Sequence, residues 1–153
     1  MDKLNFAEVF LFSVPEAIAI TSIIFGLSGI KIKKLKIFYI GLITGLILYF
    51  IRPVISSYIL NVIIYTSILI LLIILFKLMD FFRAFISTIL GISIYLIIEY
   101  INVTAIQYFF NIDPTIFLKN YYIRFLCFLP QLIFAFIISY LIRKLNLKLF
   151  IDD

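Results

Sequence analysis

Glu16 follows Pro15 and Gln131 follows Pro130, and each pair lies inside a long apolar run. Proline lacks a backbone N–H and kinks a helix, so a carbonyl one turn earlier loses its helical partner. An acid or amide beside such a kink is a means of building a polar site in lipid, able to hold a donor or a cation. The plainer reading is a pair of structural kinks. The flanks extend the likeness: FLFSVPEAI from Phe10 aligns without gaps on FLCFLPQLI from Phe125, which suggests an internal parallel repeat or a chance match among Phe, Leu and Ile.

Four further ionisable residues fall within or beside apolar runs. At about 1.5 Å of rise per residue, Glu8, Glu99, Arg52 and Arg124 come out in the outer third of their helices, and Glu16 and Gln131 near the middle. Two acids and two bases at one level suggest mutual neutralisation around a water-accessible mouth. Alternatively, Arg52 and Arg124 reach to the interface and Glu8 is simply exposed there. The candidate ligand-binding residues are therefore Glu16, Gln131, Glu99, Arg124, Glu8 and Arg52.

The residues that are missing narrow the chemistry. There is no His and a single cysteine, Cys127, which removes the usual ligands of zinc, iron and haem and the Cys–His or Ser–His pairs of nucleophilic catalysis. Asp2, Asp80, Asp113, Asp152 and Asp153 are expected at interfaces or tails, so a membrane-buried aspartate pair is not expected either. No catalytic residue, metal or cofactor is anticipated. Cys127 reads as a small packing residue.

These side chains must be positioned by helices in a membrane. Of the 153 residues 65% are hydrophobic, mean hydropathy is +1.25, and roughly 20 apolar residues cross a hydrocarbon core of about 30 Å. Nothing alternates as barrel strands would, and continuous apolar runs without water must be helical. The reading is one all-α domain, a bundle of five transmembrane helices over about 6–28, 37–51, 55–76, 81–108 and 121–142. The second is short, and the fourth run, which reaches Phe110, is over-long: it either tilts or emerges near Tyr100-Ile101-Asn102 and continues along the outer interface.

Basic residues set the orientation. Lys31, Lys33, Lys34, Lys36, Lys77, Arg83, Arg143, Lys144 and Lys148 fall on one side, and Lys3, Arg52, Lys119 and Arg124 on the other. The positive-inside rule then predicts an N-terminus outside and a C-terminus in the cytoplasm. The net charge of +5 is a topology signal and an attraction to anionic lipid, with no soluble basic surface for nucleic acid. Met1-Asp2-Lys3 with Glu8 and Glu16 does not make a cleavable signal. Heavy use of Ile, Lys, Asn, Tyr and Phe suggests an AT-rich genome and hence a bacterial cell membrane.

Gly41 and Gly45 form a GxxxG and Ser87 and Gly91 a small-xxx-small pair, both expected at helix contacts. Contacts within the bundle are the first reading, and a homodimer through Gly41 and Gly45 is the second. Tyr49, Tyr58, Tyr100, Tyr108, Tyr121 and Tyr122 gather near the outer ends as an aromatic belt, or as the floor of an apolar pocket.

Taken together, Glu16, the loop KIKKLK, Arg52-Pro53 and a last helix RFLCFLPQLIFAFIISYLIRKL, in a five-helix layout, resemble the membrane sensor region of peptide-responsive receptor histidine kinases of the accessory-gene-regulator type. In that family the last helix continues into a dimerising helix and a kinase. This sequence contains no phosphoacceptor His and no ATP-binding glycine motif, so the resemblance implies a sensor-like module acting through a cytoplasmic or membrane partner protein. Three function classes remain: a sensor or binding module for a peptide or amphipathic ligand, a small substrate-binding subunit of a transporter, and a structural accessory subunit.

Overall fold

The computed structural model describes residues 9–51, 54–55, 57–110 and 121–150. Five helices are long and apolar enough to cross a membrane: α1 (Val9–Ser28), α2 (Lys34–Ile51), α3 (Tyr58–Leu75), α4 (Phe81–Phe110) and α5 (Tyr121–Lys144). No strand occurs among the described residues.

In these helices hydroxyl side chains turn back on their own backbone. Thr21 Oγ1 donates to Ala17 O at 2.6 Å, Thr44 to Ile40 O at 2.8 Å and Thr66 to Val62 O at 2.7 Å. A carbonyl four residues back is the nearest acceptor where apolar neighbours surround the group. The helix ends are closed in equally local ways. Asp80 Oδ2 accepts the backbone N–H of Arg83 at 3.2 Å and so caps α4. Lys77 and Asn146 take left-handed backbone angles, φ 50° and 52°. Each lets the next N–H reach back five residues, Leu78 to Ile73 O at 3.1 Å and Leu147 to Ile142 O at 3.0 Å.

Pro15 leaves a local signature at the start of α1. Val9–Ser13 is a π-helical turn that passes into α-helix at Val14. The proline ring crowds the carbonyl four residues earlier, that of Leu11, and a wider turn relieves the clash. Pro130, by contrast, lies inside a continuous α5.

α1 is the hub of the bundle. It packs on α2, α4 and α5, while α3 leans on α4 and on the edge of α2. Ala19, Ile20, Ile23, Ile24 and Phe25 are almost wholly buried. Close approach depends on glycine: a Cβ on Gly41 would lie 2.8 Å from Ile18 N, and one on Gly45 3.0 Å from Val14 Cα. A Cβ on Gly91 would lie 2.6 Å from Ile24 Cγ1. Both small-residue stripes are therefore spent on α1 within the same chain. The face carrying Gly41 and Gly45 is buried in the bundle, and a homodimer through it would have to displace α1.

α1 and α5 run parallel and in register. Phe12 touches Phe125 and Phe128, with ring centroids 6.0 and 5.2 Å apart. Further along, Ser139 Oγ donates to Ser22 Oγ at 2.9 Å and Arg143 Nη2 to Ser22 O at 3.1 Å. Beyond α5 the chain turns under α1, where Leu149 N–H donates to Leu27 O at 2.9 Å and satisfies one of the carbonyls that a helix end leaves open.

Several expected boundaries differ: α3 spans Tyr58–Leu75 rather than 55–76, α4 reaches Phe110 rather than 108, and α5 reaches Lys144 rather than 142. α2 starts at Lys34 rather than Ile37, because lysine is a good helix former and its stem can lie along apolar neighbours. α4 is one unbroken helix of 30 residues. It does not leave the bundle at Tyr100-Ile101-Asn102, since Asn102 still bonds α5 and Ile106 is still buried.

Candidate functional site

Polar residues on four helices converge on a cavity of about 460 Å³ at the end of the bundle opposite the lysine-rich one. Each helix contributes one face at helical spacing: Phe12, Glu16 and Ile20 from α1, Tyr58, Asn61 and Tyr65 from α3, Tyr95, Glu99, Asn102 and Ile106 from α4, and Arg124, Cys127, Phe128 and Gln131 from α5. Residues three and four apart stack on one side of a helix, which is why these sets line one wall each. α2 contributes nothing to the lining. From Tyr58 to Tyr65, or Arg124 to Gln131, the cavity runs about 10 Å along the helix axes.

The deep end holds Glu16, Gln131, Tyr65 and Tyr95. Tyr95 is 1% exposed and Gln131 6%. The Tyr95 hydroxyl lies near Glu16, Glu99, Tyr65 and Gln131. Gln131 is the amide beside it, and no partner among the described residues meets the hydroxyl in full hydrogen-bond geometry. Asn61 Oδ1, also buried, accepts no hydrogen bond among them. An apolar wall of Val62, Ile92, Leu96 and Phe128 faces these groups.

Toward the mouth, Tyr58 donates its hydroxyl to Glu99 Oε2 at 3.5 Å. The Arg124 guanidinium stands over the Phe12 ring, 4.8 Å from its centroid. That arrangement holds the cation against an aromatic face. Glu99 and Arg124 both line the cavity.

Asn102 ties α4 to α5 close to the proline. Its Nδ2 donates to the Cys127 carbonyl at 2.8 Å, one residue beyond Leu126, whose carbonyl Pro130 leaves without its helical donor.

Comparison with family models, curated proteins and solved structures finds no match.

Of the six residues singled out in the sequence, Glu16, Gln131, Glu99 and Arg124 line this single cavity. Glu8 and Arg52 lie outside the described residues. Sequence reasoning missed Asn61, Tyr65, Tyr95 and Asn102, and it assigned Tyr58 first to an interfacial belt. The signal was present: Tyr95 and Asn102 stand four residues before and three after Glu99, and Tyr58, Asn61 and Tyr65 repeat that spacing on α3.

Proposed function

We propose that the protein is a multi-pass bacterial membrane protein that takes a peptide or other amphipathic ligand from the outer face into this cavity and acts through a partner protein. The N-terminus and the cavity mouth face outward, and the lysine-rich end lies in the cytoplasm, as nine of thirteen basic residues favour.

One observation carries the reading. Glu16 and Gln131, each beside a proline, come from two neighbouring parallel helices and line the same cavity. Polar groups at that depth are costly unless a partner or ligand satisfies them. The same two helices continue to the lysine-rich end, where Ser22, Ser139 and Arg143 join them. A ligand that alters the α1–α5 spacing at the cavity would alter it there too. The absence of His, with one cysteine, favours binding over catalysis.

Native purification followed by mass spectrometry of the intact assembly tests this directly. A copurifying small molecule or peptide, lost from the Glu16→Gln protein while expression and helical content are unchanged, is the expected result. A copurifying signalling partner supports the sensor role, and an energising ATPase would move the protein to transport. Unchanged ligand occupancy in Glu16→Gln would reduce Glu16 to a kink residue.

A further inference from the structure

Among the described residues, the charges that line the cavity are unequal. Glu16 and Glu99 bring two carboxylates to its lining and Arg124 one guanidinium, and the guanidinium is already engaged with the Phe12 face near the mouth. An anion would meet an excess of like charge, whereas a cation would offset it in surroundings that weaken screening.

The neutral groups point the same way. Asn61 Oδ1 is an acceptor that is buried and has no donor among the described residues. The hydroxyl of Tyr95, a residue that is 1% exposed, is at the cavity beside Gln131 and meets no partner in full hydrogen-bond geometry among the described residues. An ammonium group carries three donors and no acceptor, so it matches a carboxylate, an amide oxygen and a phenol oxygen together. A carboxylate would match none of the acceptors. Tyrosine faces add attraction for a cation that has lost its water.

We infer that the cavity takes a small organic ammonium ion with an apolar body, its nitrogen toward Glu16, Glu99 and Asn61 and its body along Val62, Leu96 and Phe128. The inference deepens the binding reading above and rests on it. The cavity volume, about 460 Å³, is within the range of small-molecule sites.

The test uses three probes of one shape and different charge: 2-phenylethylammonium, 2-phenylethanol and 3-phenylpropionate. Each is titrated calorimetrically into the full-length protein in lipid nanodiscs, with empty nanodiscs subtracted. The ammonium is expected to bind at least tenfold more tightly than the alcohol, with the carboxylate weakest. E99Q and E16Q should each reduce that preference about tenfold, the order of one charge-assisted hydrogen bond, and leave alcohol binding in place. If E16Q loses helical content, E99Q and R124Q decide, since removing the guanidinium should strengthen the ammonium further. Phenylalanyl-leucinamide against its N-acetyl form then tells a peptide amino terminus from a free amine as the source of the ammonium. Equal binding of all three probes, abolished by filling the cavity with L96W, would overturn the choice of a cation and keep the cavity as a ligand site. Failure of every probe to bind the folded protein would overturn both.

Discussion

Tyr95 shows how a single side chain divides stability from function. Its ring fills the core between α1, α3 and α5, but its hydroxyl is buried without a hydrogen-bond partner among the described residues. A buried, unmet polar group costs about 1–3 kcal/mol, and an apolar replacement of the same shape relieves that cost. Tyr95→Phe should therefore melt at an equal or higher temperature than the parent when no ligand is added, up to about 1 kcal/mol more stable, while 2-phenylethylammonium binds it more weakly. A clear loss of thermal stability in nanodiscs would mean that the hydroxyl is satisfied within the protein. Glu16 belongs to the same scale, since its conservative change to Gln keeps the shape and removes only the charge. Read as isolated residues, Glu16, Glu99, Arg124 and Gln131 were each legible in the sequence because a charge or amide in an apolar run is rare and expensive. Tyr95 and Tyr65 were not, because tyrosine in an apolar run is common and carries no such penalty when its hydroxyl finds a partner.

Among the helices, α1 and α5 repay attention for their shared device. Both carry a proline before a polar residue, and the turn before it is built differently: α1 opens with a π-helical turn, whereas α5 stays continuous and bonds Asn102 of α4 through the Cys127 carbonyl. Asn102→Ala removes that bond between helices and should cost about 1 kcal/mol. Pro130 takes the helical donor from Leu126 O and not from Cys127 O, so Pro130→Ala should leave the cost of losing Asn102 unchanged. A double-mutant cycle should therefore be additive, and a coupling of about 1 kcal/mol would show that the kink opens the Cys127 carbonyl to Asn102. The sequence alignment of Phe10–Ile18 on Phe125–Ile133 corresponds to a physical register, since Phe12 meets Phe125 and Phe128 across the helix pair. The sequence could propose equal depth for the two prolines, but adjacency needed the packed bundle. The glycines teach the complementary lesson: a GxxxG announces close approach, and only the fold says that Gly41 and Gly45 receive Ile18 and Val14 of the same chain.

For the whole molecule, the two ends differ in chemistry. One carries the cavity mouth, Tyr58, Val103 and Arg124; the other carries Lys34, Lys36, Lys77, Arg83, Arg143 and Lys144, with Leu149 bonded to the end of α1. Reporters fused after Asp153 should be active only in the cytoplasm, because the basic excess opposes translocation of that end. A C-terminus found outside would turn the cavity toward the cytoplasm and with it the source of any ligand.

The number of helices, their approximate ends and the rarity of their charges were decided by the sequence alone. The reason is that transfer of a segment into hydrocarbon and the demand for internal backbone hydrogen bonds are properties of one stretch at a time. Which faces meet is another matter. A helix apolar all round has almost no hydrophobic stripe to set its rotation, and between such helices the choice falls to van der Waals fit and to a few polar contacts. Only the tertiary structure could therefore turn Glu16, Glu99, Arg124 and Gln131 toward one space, bring Asn61 and Tyr95 beside them, and place Asn102 against the Cys127 carbonyl.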